Sequence, residues 1–169
     1  FMTKKGSGTS LFATVGEQQY GYAQALVRLY ELTGDREQLK KAAQSYDSST
    51  ASYQKLNLVN RIAENCWRKA QVYDKLGEHL AASQNFDCAA RNYATALEKF
   101  PQLRDCCNDL TVYMQAWSEI EKARYHHQKQ EYKIAEEHFD KAAILHKSSK
   151  RWSYLASNYS AWAQLDKAE

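Results

Sequence analysis

The chain has 169 residues, of which 44% are hydrophobic and 12% aromatic, and this length and composition predict one folded domain with a substantial core. The formal net charge is only +3, without the basic stripe typical of nucleic-acid-binding proteins. No apolar run approaches the roughly 18 residues that a membrane-spanning helix needs, so membrane insertion is not expected.

Residues that interrupt helices are scarce in this sequence. It contains one proline and six glycines, and none of the glycines lies after Gly77. A β-rich fold needs turn residues between its short strands, so this scarcity favours an all-α fold.

Apolar residues recur every three or four positions along most of the chain, which is the period of amphipathic helices. Short breaks divide the pattern into seven predicted helices, spanning residues 12–33, 36–56, 58–76, 79–99, 102–128, 131–147 and 150–168. Pro101 suits the first turn of a helix, and Asp35, Asn57 and Ser149 are candidate N-caps. Because the connections are short, successive helices are expected to be antiparallel neighbours.

The two ends of the chain differ from its middle. Residues 1–10 have the composition of a flexible leader or cloning scar, so the repeat domain is predicted to span residues 11–169. The last predicted helix has neither a cap nor a partner helix, and helical repeats need a polar terminal helix. We therefore expect a fragment of a larger protein. Four aromatic residues of the last predicted helix are expected to be uncovered and to promote self-association: Trp152, Tyr154, Tyr159 and Trp162.

The four cysteines show no CxxC spacing of the kind found in zinc and redox motifs. Cys66 and Cys88 occupy apolar positions of predicted helices, where a reduced cysteine behaves as a small hydrophobic residue. With no secretory signal visible, the sequence predicts free thiols and a cytoplasmic location.

Two segments, residues 77–89 and 130–142, align without a gap and share Glu, Ala, Phe, Asp and Ala at equal offsets. The order of small residue, aromatic residue, turn glycine, alanine, aromatic residue and alanine resembles the tetratricopeptide repeat. One unit supplies all six positions, with Ala70, Tyr73, Gly77, Ala82, Phe86 and Ala89. In the next unit His126 and Gln130 replace the aromatic residue and the glycine.

This resemblance implies antiparallel helix hairpins that form a right-handed α-solenoid of about seven helices. Small residues would let neighbouring helices approach, and the aromatic residues would fill the space to the next hairpin. Corresponding points, such as Gly34 and Gly77 or Ala70 and Ala123, lie 43 and 53 residues apart, whereas the family repeat has about 34. Lengthened repeats of this style are similar to those of the soluble NSF attachment proteins.

In the tetratricopeptide-repeat family, partners usually lie on the concave face that the first helix of each hairpin lines. Transferring those positions predicts a groove formed by Gln24, Arg28, Glu31, Trp67, Gln71, Asp74, Lys75, Trp117, Arg124 and His127. Aromatic, Arg and Lys side chains suit a peptide or protein partner. Trp67 and Trp117 fit equally well as core residues between hairpins, and the sequence does not decide between the two placements.

The sequence predicts no metal, no cofactor and no catalytic residue. It contains no P-loop, GxSxG, GxGxxG or HExxH motif. Residues 106–107 (Cys-Cys) and 126–127 (His-His) come nearest to a metal set, but adjacent residues on a helix point about 100° apart and do not chelate one ion easily. The acidic pairs Glu119/Glu121 and Glu136/Glu137 are assigned to solvated helix faces.

These observations favour a scaffold or sensor module that binds a protein or peptide partner of unspecified identity, without catalysis of its own. Two alternatives remain open. An RNA-binding helical repeat is suggested by interleaved arginine and aromatic residues in residues 61–75, although Glu64 and Asp74 on the same helix disfavour nucleic acid. The second alternative is an all-α enzyme that uses the Cys and His residues.

Overall fold

The computed structural model describes residues 5–168, and every regular element in this range is helical. The seven helices are α1 (Lys5–Thr33), α2 (Arg36–Lys55), α3 (Val59–Leu76), α4 (His79–Lys99), α5 (Arg104–Gln128), α6 (Tyr132–Ser148) and α7 (Ala156–Ala168). Short 3-10 turns, Pro101–Leu103 and Ser153–Leu155, precede α5 and α7. The all-α prediction and the predicted number of helices are confirmed. None of these helices combines the length and apolarity that crossing a bilayer requires.

The helix boundaries agree with prediction except near the two ends. Helix α1 begins at Lys5, seven residues before the predicted start, and residues 1–4 of the predicted leader lie outside the described range. Helix α7 begins later than predicted. The side-chain oxygen of Ser149 accepts hydrogen bonds from the backbone N–H groups of Arg151 (3.2 Å) and Trp152 (3.1 Å). This local bonding holds the chain in a turn before the helix starts.

Two of the turns have the same geometry, 53 residues apart. Gly77 and Gln130 both adopt a left-handed backbone, with φ of 73° and 61°. The following N–H groups, of Glu78 and Glu131, donate to the carbonyls of Tyr73 (2.9 Å) and His126 (3.0 Å). Glycine adopts this conformation without strain and glutamine does so rarely. The turn at Asn57 has the same hydrogen bond, from the N–H of Leu58 to the carbonyl of Tyr53 at 3.1 Å, so this geometry is not confined to the two aligned units.

The predicted N-caps have mixed outcomes. The side chain of Asp35 accepts a hydrogen bond from the N–H of Glu37 at 3.0 Å, which confirms that cap. Asn57 is not a cap, because its φ of 54° makes it the left-handed residue of the turn between α2 and α3. Asparagine tolerates that conformation better than most residues through local hydrogen bonding.

Each helix packs on the helices before and after it in the chain. The aligned alanines and phenylalanines of the two units are all buried: Ala82, Phe86, Ala89, Ala135, Phe139 and Ala142. One apolar cluster joins α1, α2 and α3, a second is centred on α3, α4 and α5, and a third joins α5, α6 and α7. The core is therefore continuous along the stack.

The cysteine prediction is wrong for one pair. Cys66 on α3 and Cys88 on α4 are joined by a disulfide, with their Cα atoms 5.9 Å apart. Facing positions of antiparallel helices meet the distance that a disulfide requires, and a search for short CxxC spacing misses a pair separated by 22 residues. Disulfides are typical of oxidising compartments, so this bond does not favour the predicted cytoplasmic location.

We predict that reduction of this disulfide lowers the free energy of unfolding by about 2–4 kcal/mol. The reason is that the unfolded chain gains conformational entropy when the disulfide no longer closes a loop. The measurement is guanidinium-induced unfolding with and without a phosphine reductant. In the Cys66→Ala/Cys88→Ala double variant, the reductant should have no effect. Rapid alkylation of both thiols in oxidised native protein would contradict the assignment.

Candidate functional site

The odd-numbered helices share one face of the molecule, linked by polar side chains. Between α1 and α3, the Tyr20 hydroxyl donates to Glu64 at 2.6 Å, and Lys75 pairs with Glu31 at 3.3 Å. These partners are 44 residues apart in both cases. We call the surface formed by α1, α3, α5 and α7 the groove face.

A first cavity on the groove face lies between α1 and α3 and has a volume of about 530 Å³. We call it the polar pocket. Six of the predicted groove residues line it: Gln24, Arg28, Glu31, Gln71, Asp74 and Lys75. The transferred repeat positions therefore converge in space here, although the residues come from two helices more than 40 positions apart.

A second cavity, of about 670 Å³, lies between α5 and α7, and we call it the aromatic pocket. Two predicted groove residues, Arg124 and His127, line it. Sequence reasoning did not identify its remaining lining residues, which are His79, Gln128, Phe139, Asn158, Tyr159, Ala161 and Trp162. Phe139 belongs to the apolar core, as its place in the motif predicts, and also lines this pocket. The aromatic content of α7 was the available signal.

The remaining predicted groove residues, Trp67 and Trp117, are half-buried against the core and line neither of these pockets. Trp117 stacks on Phe86 with ring centroids 5.8 Å apart, and Trp67 meets Tyr113 edge to face at 6.4 Å. Of the two placements that the sequence left open for these tryptophans, the structure shows the one against the core.

Arg124 belongs to a network that joins α3, α4 and α5. Its Nη1 atom donates to Asp74 at 2.9 Å and to Glu121 at 2.8 Å. The other oxygen of Glu121 lies 2.6 Å from His79 Nδ1. Glu121 is fully buried, so its predicted place on a solvated face is wrong. Burial raises the pKa of its carboxyl group, although the hydrogen bond to His79 and the charge of Arg124 oppose that rise.

The same network also brings three possible metal ligands close enough together to bind one ion. Ligand atoms of Asp74, His79 and Glu121 lie within 4.8 Å of one another. The guanidinium of Arg124 already bonds both carboxylates and supplies the positive charge that a cation would bring. We therefore interpret this cluster as an ion-pair network that positions Arg124 and His79 at the aromatic pocket.

The other acidic candidates also form ion pairs. Glu119 is largely buried and bonds Lys122 at 2.8 Å and His138 at 2.7 Å, so it does not lie on a solvated face. Burial tends to raise the pKa of Glu119, but the hydrogen bonds from Lys122 and His138 outweigh that effect and lower it. Glu136 lies 3.9 Å from Lys167, whereas Glu137 is exposed as predicted.

The Cys-Cys and His-His pairs, which come nearest to a metal set in the sequence, do not lie close together in the structure. Cys106 and Cys107 lie in the first turn of α5, and His126 and His127 lie in its last turn. The helical rise of about 1.5 Å per residue separates the two pairs by about 30 Å. His126 instead bonds Glu131 at 2.6 Å, and His127 bonds Asp166 at 2.7 Å.

His146 lies behind the aromatic pocket, with its ring stacked on Tyr159 at a centroid distance of 5.2 Å. It is fully buried, and neither ring nitrogen has a hydrogen-bond partner in the part of the chain that the structure describes. Burial lowers the pKa of His146 to about 4, because a charged imidazole would lose its hydration there. The side chain therefore acts as a neutral aromatic spacer that supports Tyr159.

Comparison with protein-family models, curated proteins and solved structures finds no match to this chain.

We predict that Arg124→Met destabilises the protein by about 3 kcal/mol or more, because it leaves Glu121 buried beside Asp74 without its compensating charge. Chemical unfolding at neutral pH measures the effect. Arg28→Met, which removes an exposed arginine of the same face, should change stability by less than about 0.5 kcal/mol. The double variant Arg124→Met/Glu121→Leu should recover much of the loss. Equal stabilities of the two single variants would contradict the proposed compensation.

We also predict that His146 contributes to loss of stability in acid. An unfolded histidine, with the ordinary pKa of 6.5, binds a proton more readily than folded His146 with its pKa of about 4. Stability therefore falls as the pH drops from about 6.5 towards 4. In His146→Leu, the loss of unfolding free energy between pH 7 and pH 5 should be smaller by about 1–2 kcal/mol. An unchanged pH profile would show that His146 makes no such contribution.

Proposed function

We propose that this chain is a tetratricopeptide-repeat-like, right-handed α-solenoid that serves as a protein–protein interaction scaffold or sensor module. It binds a peptide segment of its partner along the groove face and performs no catalysis of its own. The observation that carries this proposal is the convergence of eight predicted groove residues in two neighbouring pockets. The Asp74–Arg124 ion pair connects these pockets, since Asp74 lines one and Arg124 lines the other.

The chemistry of the polar pocket suits an extended peptide. The amide side chains of Gln24 and Gln71 both donate and accept hydrogen bonds, as peptide groups do. Charges of both signs surround them, and Arg28 forms no ion pair within the described range. A peptide that brings a carboxylate to Arg28 would form a new charge-assisted hydrogen bond. Groove binding of this kind needs no movement of the helices.

Nucleic acid is a poorer candidate for the same surface. The arginines that suggested RNA binding already interact with carboxylates, since Arg61 pairs with Glu17 and with Glu64, and Arg68 lies 4.0 Å from Glu64. Phosphate binding would have to compete with these interactions. The peptide hypothesis requires no such exchange.

Self-association through the last repeat is part of the same proposal. Of the four aromatic residues predicted to be uncovered, Tyr154 and Trp162 are 69% and 51% exposed, whereas Trp152 stacks on Tyr113 and Tyr159 on Phe139. Exposed apolar groups of this size favour association. A cytoplasmic location fits only a protein in which Cys66 and Cys88 are reduced, whereas their disulfide favours an oxidising compartment.

We predict that peptides selected from a random display library by the wild-type domain bind Arg28→Glu and Gln71→Ala at least about 10-fold more weakly, equivalent to about 1.4 kcal/mol. Both changes remove groups that the peptide would contact, and neither group is buried. Fluorescence anisotropy with labelled peptide measures the affinity. The melting temperatures should not change.

The matched control is Arg91→Glu, which makes the same charge change at an exposed position of α4, away from both pockets. It should bind the selected peptides as the wild type does. Failure to enrich any peptide, or equal weakening by the control, would exclude the groove face as the binding surface.

A further inference from the structure

The aromatic pocket has two histidines that are held in the same way. His79 Nδ1 lies 2.6 Å from Glu121, and His127 Nδ1 lies 2.7 Å from Asp166. The side chains of these two carboxylates are 0% and 1% exposed. A carboxylate only accepts hydrogen bonds, so each neutral imidazole must carry its proton on Nδ1. The opposite nitrogen, Nε2, then has the free lone pair.

Because Nδ1 of each ring is bonded to a buried carboxylate, Nε2 is the nitrogen that remains for the pocket that both rings line. Carboxylate–imidazole pairs fix both the tautomer and the orientation of the ring. The aromatic pocket thus offers two oriented acceptors to an occupant. Such an array selects a group that donates a hydrogen bond.

The walls of the pocket are aromatic and nearly parallel. Phe139 lies against Tyr159 with a centroid distance of 6.4 Å and an interplanar angle of 13°, and against Trp162 at 6.2 Å and 26°. Trp162 is 51% exposed although it is the largest of the three side chains. A flat aromatic occupant would cover this exposed ring and pack against it face to face or edge to face.

The charges around the pocket disfavour an anionic occupant. The carboxylates of Asp74, Glu121 and Asp166 bond the Arg124, His79 and His127 side chains that line it. When the imidazoles are neutral, the formal charge of this set is negative. A neutral aromatic group with a hydrogen-bond donor complements the rings and the acceptor nitrogens without adding negative charge.

We propose that the aromatic pocket is the subsite for a tryptophan side chain of the bound peptide, an inference that rests on the proposed peptide-binding function. Indole is planar, neutral and purely a donor, through its N–H group, and a cavity of about 670 Å³ has room for it. The ring packs on Trp162, and the N–H group donates to Nε2 of His79 or His127. The tryptophan supplies the anchor, and the polar pocket contacts the neighbouring residues of the peptide.

The test uses N-acetyl-tryptophanamide as the probe and, as the control, its 1-methylindole analogue, in which a methyl group replaces the N–H hydrogen. Two-dimensional ¹H–¹⁵N NMR at pH 8 follows the Trp162 indole and the backbone amides of His127 and Asn158. We expect saturable shifts with a dissociation constant on the order of millimolar. The methylated probe should bind at least about 5-fold more weakly, because it cannot donate a hydrogen bond to Nε2 of either histidine.

Three variants make the test specific. Trp162→Ala should abolish the shifts, whereas Tyr154→Ala, which removes an exposed aromatic residue outside the pocket, should leave them unchanged. His127→Leu should reduce the difference between the two probes. Equal binding of both probes, or equal effects of the two aromatic variants, would overturn the tryptophan subsite.

The outcome separates this inference from the proposed function. If the display library yields groove-binding peptides while the probe binds nowhere on α5 or α7, the tryptophan subsite is wrong and peptide binding stands. If the library yields no peptide and the probe also fails to bind, both proposals are overturned.

Discussion

The close approach of neighbouring helices through small side chains is the constraint on which the rest of this structure depends. Fully buried alanines occur on each of the helices α1 to α6, and Phe86 and Phe139 fill the spaces between hairpins. At Gly16 the approach is closer still, because a Cβ atom there would lie 2.7 Å from the Tyr53 ring. Enlarging such a site typically costs about 1–3 kcal/mol, and truncating a buried phenylalanine about 3–5 kcal/mol.

This spacing brings the odd-numbered helices within reach of one another's side chains. Long polar and charged side chains bridge these helices beside the apolar clusters that they share. Asp74–Arg124, between α3 and α5, and His127–Asp166, between α5 and α7, are examples. Buried charges are tolerated when each is paired, and the carboxylates of Glu121 and Asp166 also orient the imidazoles that the aromatic pocket presents. The interactions that hold the stack together therefore shape its surface as well.

Much of the fold was predictable because the apolar periodicity and the helix-breaking residues are local features of the sequence. The seven helices follow from the apolar period, and the six polar-pocket residues were predicted from the resemblance to the tetratricopeptide repeat. The features that sequence reasoning missed depend on which facing residues meet. Glu121 looked solvated because α5 alone does not reveal that His79 covers it, and Cys66 and Cys88 pair only through the register of α3 against α4. The delayed start of α7 depends on turn bonding by Ser149 and Asp109, from different parts of the chain.

The central claim is that the partner occupies the face formed by α1, α3, α5 and α7. The most direct measurement is a map of amide chemical-shift changes when a selected peptide is added to ¹⁵N-labelled protein. Our account predicts that the largest changes lie on these four helices, running from Gln24 and Gln71 to His127 and Asn158. Changes concentrated on α2, α4 and α6 would contradict it.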